Sequence, residues 1–205
     1  MAKICFTRNG FIIAQFDTVP SIFAKVSKKN FNKLNKIKET NQNFTIFFSC
    51  LEQLLDYFNL EEKQIKLICS LLKFNPSFKI LKSRVKEEYK EILYSKNDYL
   101  FVRIWFSKKN SVFAREVPLL IDETGPLFAT SCHYKGEDPR IKLRLIKQFF
   151  YQNLSKKTEM LYCRILIKRF SQNKISTIID LENNNFLILR KGMNISEIIN
   201  CCDNQ

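Results

Sequence analysis

The sequence predicts an α+β fold in which an antiparallel β-sheet carries helices on one face. Apolar residues follow a helical spacing in the first part of the chain, and from about residue 100 they alternate as they do in strands. Short polar segments, such as residues 107–110 and 171–174, join the alternating stretches. Short connections between successive strands imply antiparallel pairing, and helices then pack on the sheet that forms.

The first 75 residues are predicted to form a hairpin followed by three helices. Asn9-Gly10 lies between two apolar runs, which is a strong hairpin signal. Apolar residues at helical spacing predict helices over residues 22–37 and 49–58. A third helix is predicted to follow Asn59, which is suited to cap its first turn.

The remaining chain is predicted to be mainly strand. A helix over residues 140–154 interrupts the strands, and one over residues 194–202 closes the chain. The hairpin and first helix, residues 1–45, are predicted to form an appendage to an α+β domain over residues 46–205. The predicted strands cover residues 100–106, 111–122, 127–134, 160–170, 175–182 and 186–190.

The composition excludes several kinds of site. The chain has seven scattered cysteines and one histidine, so it fits neither a disulfide framework nor a zinc site. Four glycines are too few for a glycine-rich phosphate loop, and no cofactor is expected. No apolar run approaches the ~18 residues of a membrane span. We therefore expect reduced thiols and a cytoplasmic location, or the plastid stroma if the gene is carried by that organelle.

The formal net charge of +14 predicts an anionic partner. Basic surfaces attract nucleic acid, anionic membranes or small anionic ligands. A run of six lysines without an intervening acid favours nucleic acid, since these cations could contact phosphates. The same run is also typical of a solvated helix face. Its members are Lys25, Lys28, Lys29, Lys33, Lys36 and Lys38.

Two arginines are candidates for binding a carboxylate. In the predicted strand over residues 111–122, alternation places Arg115 on one face with Phe113 and Val117. Arg164 shares a face with apolar neighbours in the same way. A guanidinium among apolar groups needs an anion, because burying an unpaired charge is costly. That anion is either a structural Asp or Glu, or the carboxylate of a ligand.

Asp180 is the candidate acid. It lies on the predicted strand over residues 175–182 beside isoleucines, where partial burial would favour its protonated form. A carboxylic acid held protonated can serve as a general acid. The alternative is an acid at the end of a strand that faces solvent.

Several short segments, in order, resemble those of chorismate lyases, most closely the divergent cyanobacterial and plastid branch. The resemblance covers about residues 70–185. The segments are Ser77-Phe78-Lys79-Ile80-Leu81, Arg115-Glu116-Val117-Pro118-Leu119, Pro126-Leu127-Phe128-Ala129-Thr130-Ser131, Tyr162-Cys163-Arg164 and Asn173-Lys174-Ile175 through Asp180.

This resemblance implies a chorismate lyase-like fold and a cofactor-independent lyase of quinone biosynthesis. Such an enzyme converts chorismate, a small anionic substrate, to 4-hydroxybenzoate and pyruvate. Arg115 and Arg164 would bind the substrate, and Asp180 would act as the acid. The family has Glu at the position of Asp180, and some members have Arg at that of Thr130. A noncatalytic ligand-binding domain of the same fold and a basic nucleic-acid-binding protein are the alternatives.

Overall fold

The computed structural model describes residues 11–15, 19–39, 43–105, 116–132, 164–166, 175–182 and 187–203. These residues form one sheet, in the spatial order β7-β1-β2-β6-β3-β5-β4-β8-β9. The strands are β1 (Ile12–Gln15), β2 (Pro20–Lys25), β3 (Thr45–Phe48), β4 (Ser77–Leu81), β5 (Tyr99–Ile104), β6 (Leu127–Ser131), β7 (Arg164–Leu166), β8 (Ile178–Asp180) and β9 (Leu187–Arg190).

The sheet is mixed, so the prediction of a purely antiparallel sheet is wrong. Parallel pairs join β1 to β7, β3 to β5 and β4 to β8, while the other neighbours are antiparallel. A parallel pair needs a long crossover rather than a tight turn. Residues 49–98 supply this crossover between β3 and β5, and they contain two helices and β4. The broader assignment to a mixed α+β architecture is confirmed.

Five helices accompany the sheet in the described part of the chain. Ser27 caps the first, because its side chain accepts a hydrogen bond from the Asn30 N–H. The third begins after Glu61, which forms a capping box with Gln64, rather than after the predicted Asn59. The helices are α1 (Lys28–Lys38), α2 (Leu51–Tyr57), α3 (Glu62–Leu71), α4 (Glu116–Thr124) and α5 (Ile195–Asp203).

Alternation along the strands divides the apolar residues between two faces of the sheet. On the first, the helix face, strand residues such as Phe78 and Val102 share a core with residues of α1, α2, α3 and α5. On the opposite face, Phe23 and Phe47 pack with Leu120 of α4. Helices therefore cover both faces, rather than one as predicted, and α4 covers only part of the second.

Two segments differ from the predicted secondary structure. Residues 116–124 form α4 instead of part of a strand, because Leu120 and Ile121 pack from a helix onto the sheet. Pro118 lies in the first turn of α4, where proline is tolerated. The predicted helix over residues 22–37 is instead β2 followed by α1. The predicted hairpin at Asn9-Gly10 lies outside the described residues.

The N-terminal elements are part of the same sheet and core. β2 pairs with β6 along five residues, and Phe31 of α1 contacts the rings of Phe44 and Phe128. The division predicted at residue 45 stays a prediction. Within the described residues, no helix is both long enough and apolar enough to span a membrane.

An ion pair ties β4 to β8 on the face opposite the helix face. The Lys79 ammonium lies 2.8 Å from Asp180 Oδ2, and Asp180 is only 6% exposed. Asp180 Oδ1 also accepts a hydrogen bond from the Glu182 N–H at 3.1 Å. Glu182 in turn accepts from the Leu81 N–H and from Arg84. These contacts give Asp180 a structural role in the sheet.

We expect Asp180→Asn to lower the free energy of unfolding by about 3 kcal/mol, because it leaves the partly buried Lys79 ammonium without its anion. Urea unfolding checks this value. Glu62→Gln is the matched control, since it removes an acid from an exposed pair with Lys66 and should change stability little. Unchanged stability of the Asp180 variant would contradict the structural role and leave the acid available for chemistry.

Candidate ligand-binding cavity

A cavity of about 600 Å³ opens on the part of the sheet that α4 leaves uncovered. This volume is in the usual range for small-molecule sites. We call this side of the sheet the cavity face. The described residues that line the cavity are Val19, Ser21, Asn43, Phe44, Thr45, Phe47, Ser77, Asn97, Tyr99, Phe101, Arg103, Ala129, Thr130, Ser131, Ile175, Ser176, Ile178, Leu189 and Arg190.

Arg103 lies on β5, an inner strand of the sheet. Alternation sends Leu100, Val102 and Ile104 into the helix-face core, so Arg103 points to the cavity face. Its guanidinium carbon is 5.4 Å from the centroid of the Phe47 ring, and the residue is 4% exposed. A planar guanidinium stacks well on an aromatic ring. The ring therefore helps to hold a buried positive charge at the cavity wall.

Arg190 reaches the cavity because of a β-bulge. Ile178 pairs with Arg190 and Ile179 with Ile188, so Leu189 is an extra residue in β9. The bulge leaves both Leu189 and Arg190 on the cavity lining. The Arg190 guanidinium donates to the Ser176 carbonyl oxygen at 3.0 Å and to Ser176 Oγ at 3.1 Å. These two bonds fix its orientation.

Two buried serines connect Arg190 to β4. Ser176 Oγ lies 3.0 Å from Ser77 Oγ on β4. The segment that carries Ser176 is held close to the chain after β9, since Met193 N–H donates to the Ile175 carbonyl. Gly192 permits this approach, because a side chain there would overlap the backbone oxygen of Ile175.

The charged side chains of the described cavity lining are both positive. Burial lowers the pKa of Arg190, and the positive charge of Arg103 lowers it further. Arg190 forms no ion pair with any described residue, and none of the described lining residues is Asp or Glu. Arginine nevertheless remains charged at neutral pH. The arrangement therefore favours an anionic ligand, whose charge would offset both effects on Arg190.

Of the three residues predicted for the site, the structure describes the side chain of Asp180 alone. Asp180 is paired with Lys79 and is not among the lining residues. Arg164 belongs to β7, toward the opposite edge of the sheet from β8. Arg115 lies outside the described residues. The roles predicted for these three residues stay predictions.

Sequence reasoning missed Arg103 and Arg190. Arg103 lies in a stretch whose alternation predicts a strand, and alternation places it on one face with the apolar residues Phe101 and Trp105. This is the same signal that singled out Arg115. Arg190 closes another predicted strand, but its bulge leaves no mark in the sequence pattern. Among the described residues, no group of three possible metal-ligating side chains is present.

The six lysines of the predicted basic run do not form one surface. Lys25, Lys28, Lys29 and Lys36 are exposed, whereas Lys33 is half-buried. Lys38 is 7% exposed, and its ammonium donates to the Ser131 carbonyl oxygen at 2.7 Å. Since Ser131 lines the cavity, Lys38 supports the cavity rim rather than the outer face of α1.

Solved structures show where this fold occurs. The chain superposes on P. abyssi Sua5 complexed with L-threonine with a TM-score of 0.69 and 18% identity, covering 92% of this chain and 53% of that one. It superposes on E. coli YciO with a TM-score of 0.68 and 20% identity, covering 90% of this chain and 84% of that one. It superposes on full-length HypF in a phosphate- and nucleotide-bound form with a TM-score of 0.68 and 13% identity, covering 89% of this chain and 22% of that one. The chain thus spans about half the length of P. abyssi Sua5.

The comparisons overturn the resemblance to chorismate lyases. The shared fold is that of Sua5, YciO and HypF, so the predicted conversion of chorismate and the link to quinone biosynthesis are wrong. The alternative of a nucleic-acid-binding protein is better supported. No curated protein matches the chain in a sequence search. A family model described as "Telomere recombination" matches residues 5–192, and the chain therefore belongs to the Sua5/YciO/YrdC family.

Proposed function

We propose that the cavity binds a nucleotide and L-threonine, and that the chain acts in the threonylcarbamoyl modification of tRNA that its family performs. The observation that carries the proposal is the half-buried Arg190 beside the buried Arg103 in a cavity whose described lining has no acid. P. abyssi Sua5 has been solved with L-threonine and HypF with phosphate and nucleotide. Both kinds of ligand carry the anionic groups that arginines recognise.

The chemistry of the lining suits ligands that are activated through phosphate groups. Apart from the two arginines, Tyr99 is the only ionisable side chain among the described lining residues. The described side chains suit a site that holds reactants in line and neutralises developing negative charge. Ser77 and Ser176 add hydroxyl groups that can donate to phosphate oxygens once a ligand displaces their mutual bond.

We expect Arg190→Gln to weaken ATP binding about 10-fold or more, the usual effect of losing a charge-assisted hydrogen bond. Isothermal titration calorimetry with ATP, alone and with L-threonine, measures this effect. Folding should change little, because the Gln amide can still donate to Ser176. Lys191→Gln is the matched control, because it removes the next positive charge along the chain from an exposed side chain. Equal ATP affinity in both variants would contradict the proposal.

A second role, binding of RNA, is favoured by the exposed lysines of α1. Lys28, Lys29 and Lys36 project from a helix whose first turn contains no acidic residue. The positive end of the helix dipole lies at the first turn, so it adds to the attraction of Lys28 and Lys29 for phosphate, while Lys36 lies in the last turn. We propose that this surface, together with Lys25, contacts the backbone of the RNA whose modification the cavity serves.

Changing Lys28, Lys29 and Lys36 together to Gln should weaken RNA binding. The slope of log affinity against log salt should fall by about 0.7 for each phosphate of single-stranded RNA that the variant no longer neutralises. Filter binding to tRNA between low and moderate salt measures this slope. Changing Lys63, Lys66 and Lys90 to Gln serves as the control, since these lysines are already paired with acids. An identical decrease in both triple variants would show only a nonspecific effect of net charge.

A further inference from the structure

Two aromatic side chains project from β5 into the cavity although the core does not use them. Tyr99 and Phe101 are half-buried, and their ring centroids lie 5.3 Å apart with an interplanar angle of 64°. Both line the cavity, whereas the alternate residues Leu100 and Val102 fill the core on the other face. Partly exposed rings on the wall of a cavity are suited to contact a planar ligand group.

The backbone and ring of Tyr99 are held firmly in place. The Tyr99 carbonyl oxygen accepts from Asn43 Nδ2 at 3.0 Å and from Ser95 Oγ at 2.8 Å. The Lys79 ammonium lies 5.4 Å from the centroid of the Tyr99 ring. That ammonium is itself anchored by Asp180. A wall fixed before binding spares a ligand the entropic cost of ordering it.

The position of the rings relative to Arg103 matches the layout of a nucleotide. Phe101 and Arg103 are two residues apart on one strand face, a separation of about 7 Å, and Tyr99 lies about 7 Å further on. A phosphate held at Arg103 would therefore place a base attached through a ribose over the aromatic residues. Base–aromatic stacking is a common way to bind nucleotides because every base has a π face.

A polar group with free hydrogen-bonding capacity lies beside the rings. Asn97 is exposed at the cavity lining, and its backbone N–H and carbonyl are both bonded to Ser95 Oγ. Its side-chain amide makes no hydrogen bond to any described residue, so it offers donors and an acceptor to a ligand. An amide next to aromatic rings can read the polar edge of a base.

We propose that Tyr99 and Phe101 form a base-binding wall, with Asn97 at its edge, that makes the cavity select nucleotides over phosphates without a base. This inference rests on the proposed function, since it assumes that Arg103 and Arg190 hold the phosphate. It adds the residues that distinguish one class of anionic ligand from another.

Two probes separate the base from the phosphate: AMP and ribose 5-phosphate. By titration calorimetry, the wild-type protein should bind AMP about 10-fold tighter than ribose 5-phosphate, since only AMP carries a base. Tyr99→Leu combined with Phe101→Leu keeps apolar side chains but removes both rings. This variant should lose about 10-fold in affinity for AMP and none for ribose 5-phosphate, while Arg190→Gln should weaken both ligands.

The outcomes distinguish failure of this inference from failure of the proposed function. If the wild-type protein binds neither probe, the proposed phosphate site is wrong. If it binds both equally, or if removing the rings leaves AMP affinity unchanged, the phosphate site stands and the base-binding wall is overturned. The ratio of the two wild-type affinities needs no variant, and Phe101→Leu alone repeats the test should the double variant fail to fold.

Discussion

The register of β5 is the constraint on which the core and the cavity both depend. Six consecutive residues of this strand alternate between the two faces, so Leu100, Val102 and Ile104 fill the core while Tyr99, Phe101 and Arg103 face the cavity. A shift by one residue would turn a guanidinium into the core and three apolar side chains into the cavity. The large cost of burying an unpaired charge among apolar groups therefore enforces the same register that the ligand site requires.

The neighbouring strands transmit this register to the edge of the sheet. β4 pairs with β5 on one side and with β8 on the other, and it supplies Ser77 to the cavity and Lys79 to the pair with Asp180. β8 then sets the position of β9, whose bulge brings Arg190 to the lining. Core packing thus fixes β5, the pair between Lys79 and Asp180 joins β4 to β8, and the bulge in β9 brings Arg190 to the lining. Together they place Arg103 and Arg190, which are distant in sequence, in one cavity.

The spacing of apolar residues correctly predicted the helices and strands that bury one regular face. It failed for segments whose structure depends on contacts with residues distant in sequence. β5, β6, β9, α2 and α5 lie close to their predicted positions. The short strand β3 is buried on nearly every residue, so it shows no alternation for a pattern to detect. Residues 116–124 alternate acceptably as a strand, but only packing against Phe47 selects the helix.

The choice of Arg115 rested on that misassigned segment, while Arg103 carried the same signal in a strand that was predicted correctly. Whether an arginine lines the cavity depends on the order of the strands in the sheet. The residue pattern within one strand does not reveal this order.

The excess of positive charge has two physical roles that composition cannot separate. The exposed lysines of α1, Lys28, Lys29 and Lys36, remain hydrated, and any attraction they exert on a polyanion is screened by salt within about 10 Å. Arg103 is buried against a ring and Arg190 is half-buried against serine groups, where screening is weaker and the geometry is fixed. Lysine suits a surface that must hold a flexible phosphate backbone at many positions. Arginine suits a cavity that must orient one small anion, because its planar fork defines direction as well as charge. Burial is the property that separates the two roles. Lys38 is the last member of the lysine run, yet its buried ammonium donates to the Ser131 carbonyl oxygen at the cavity rim.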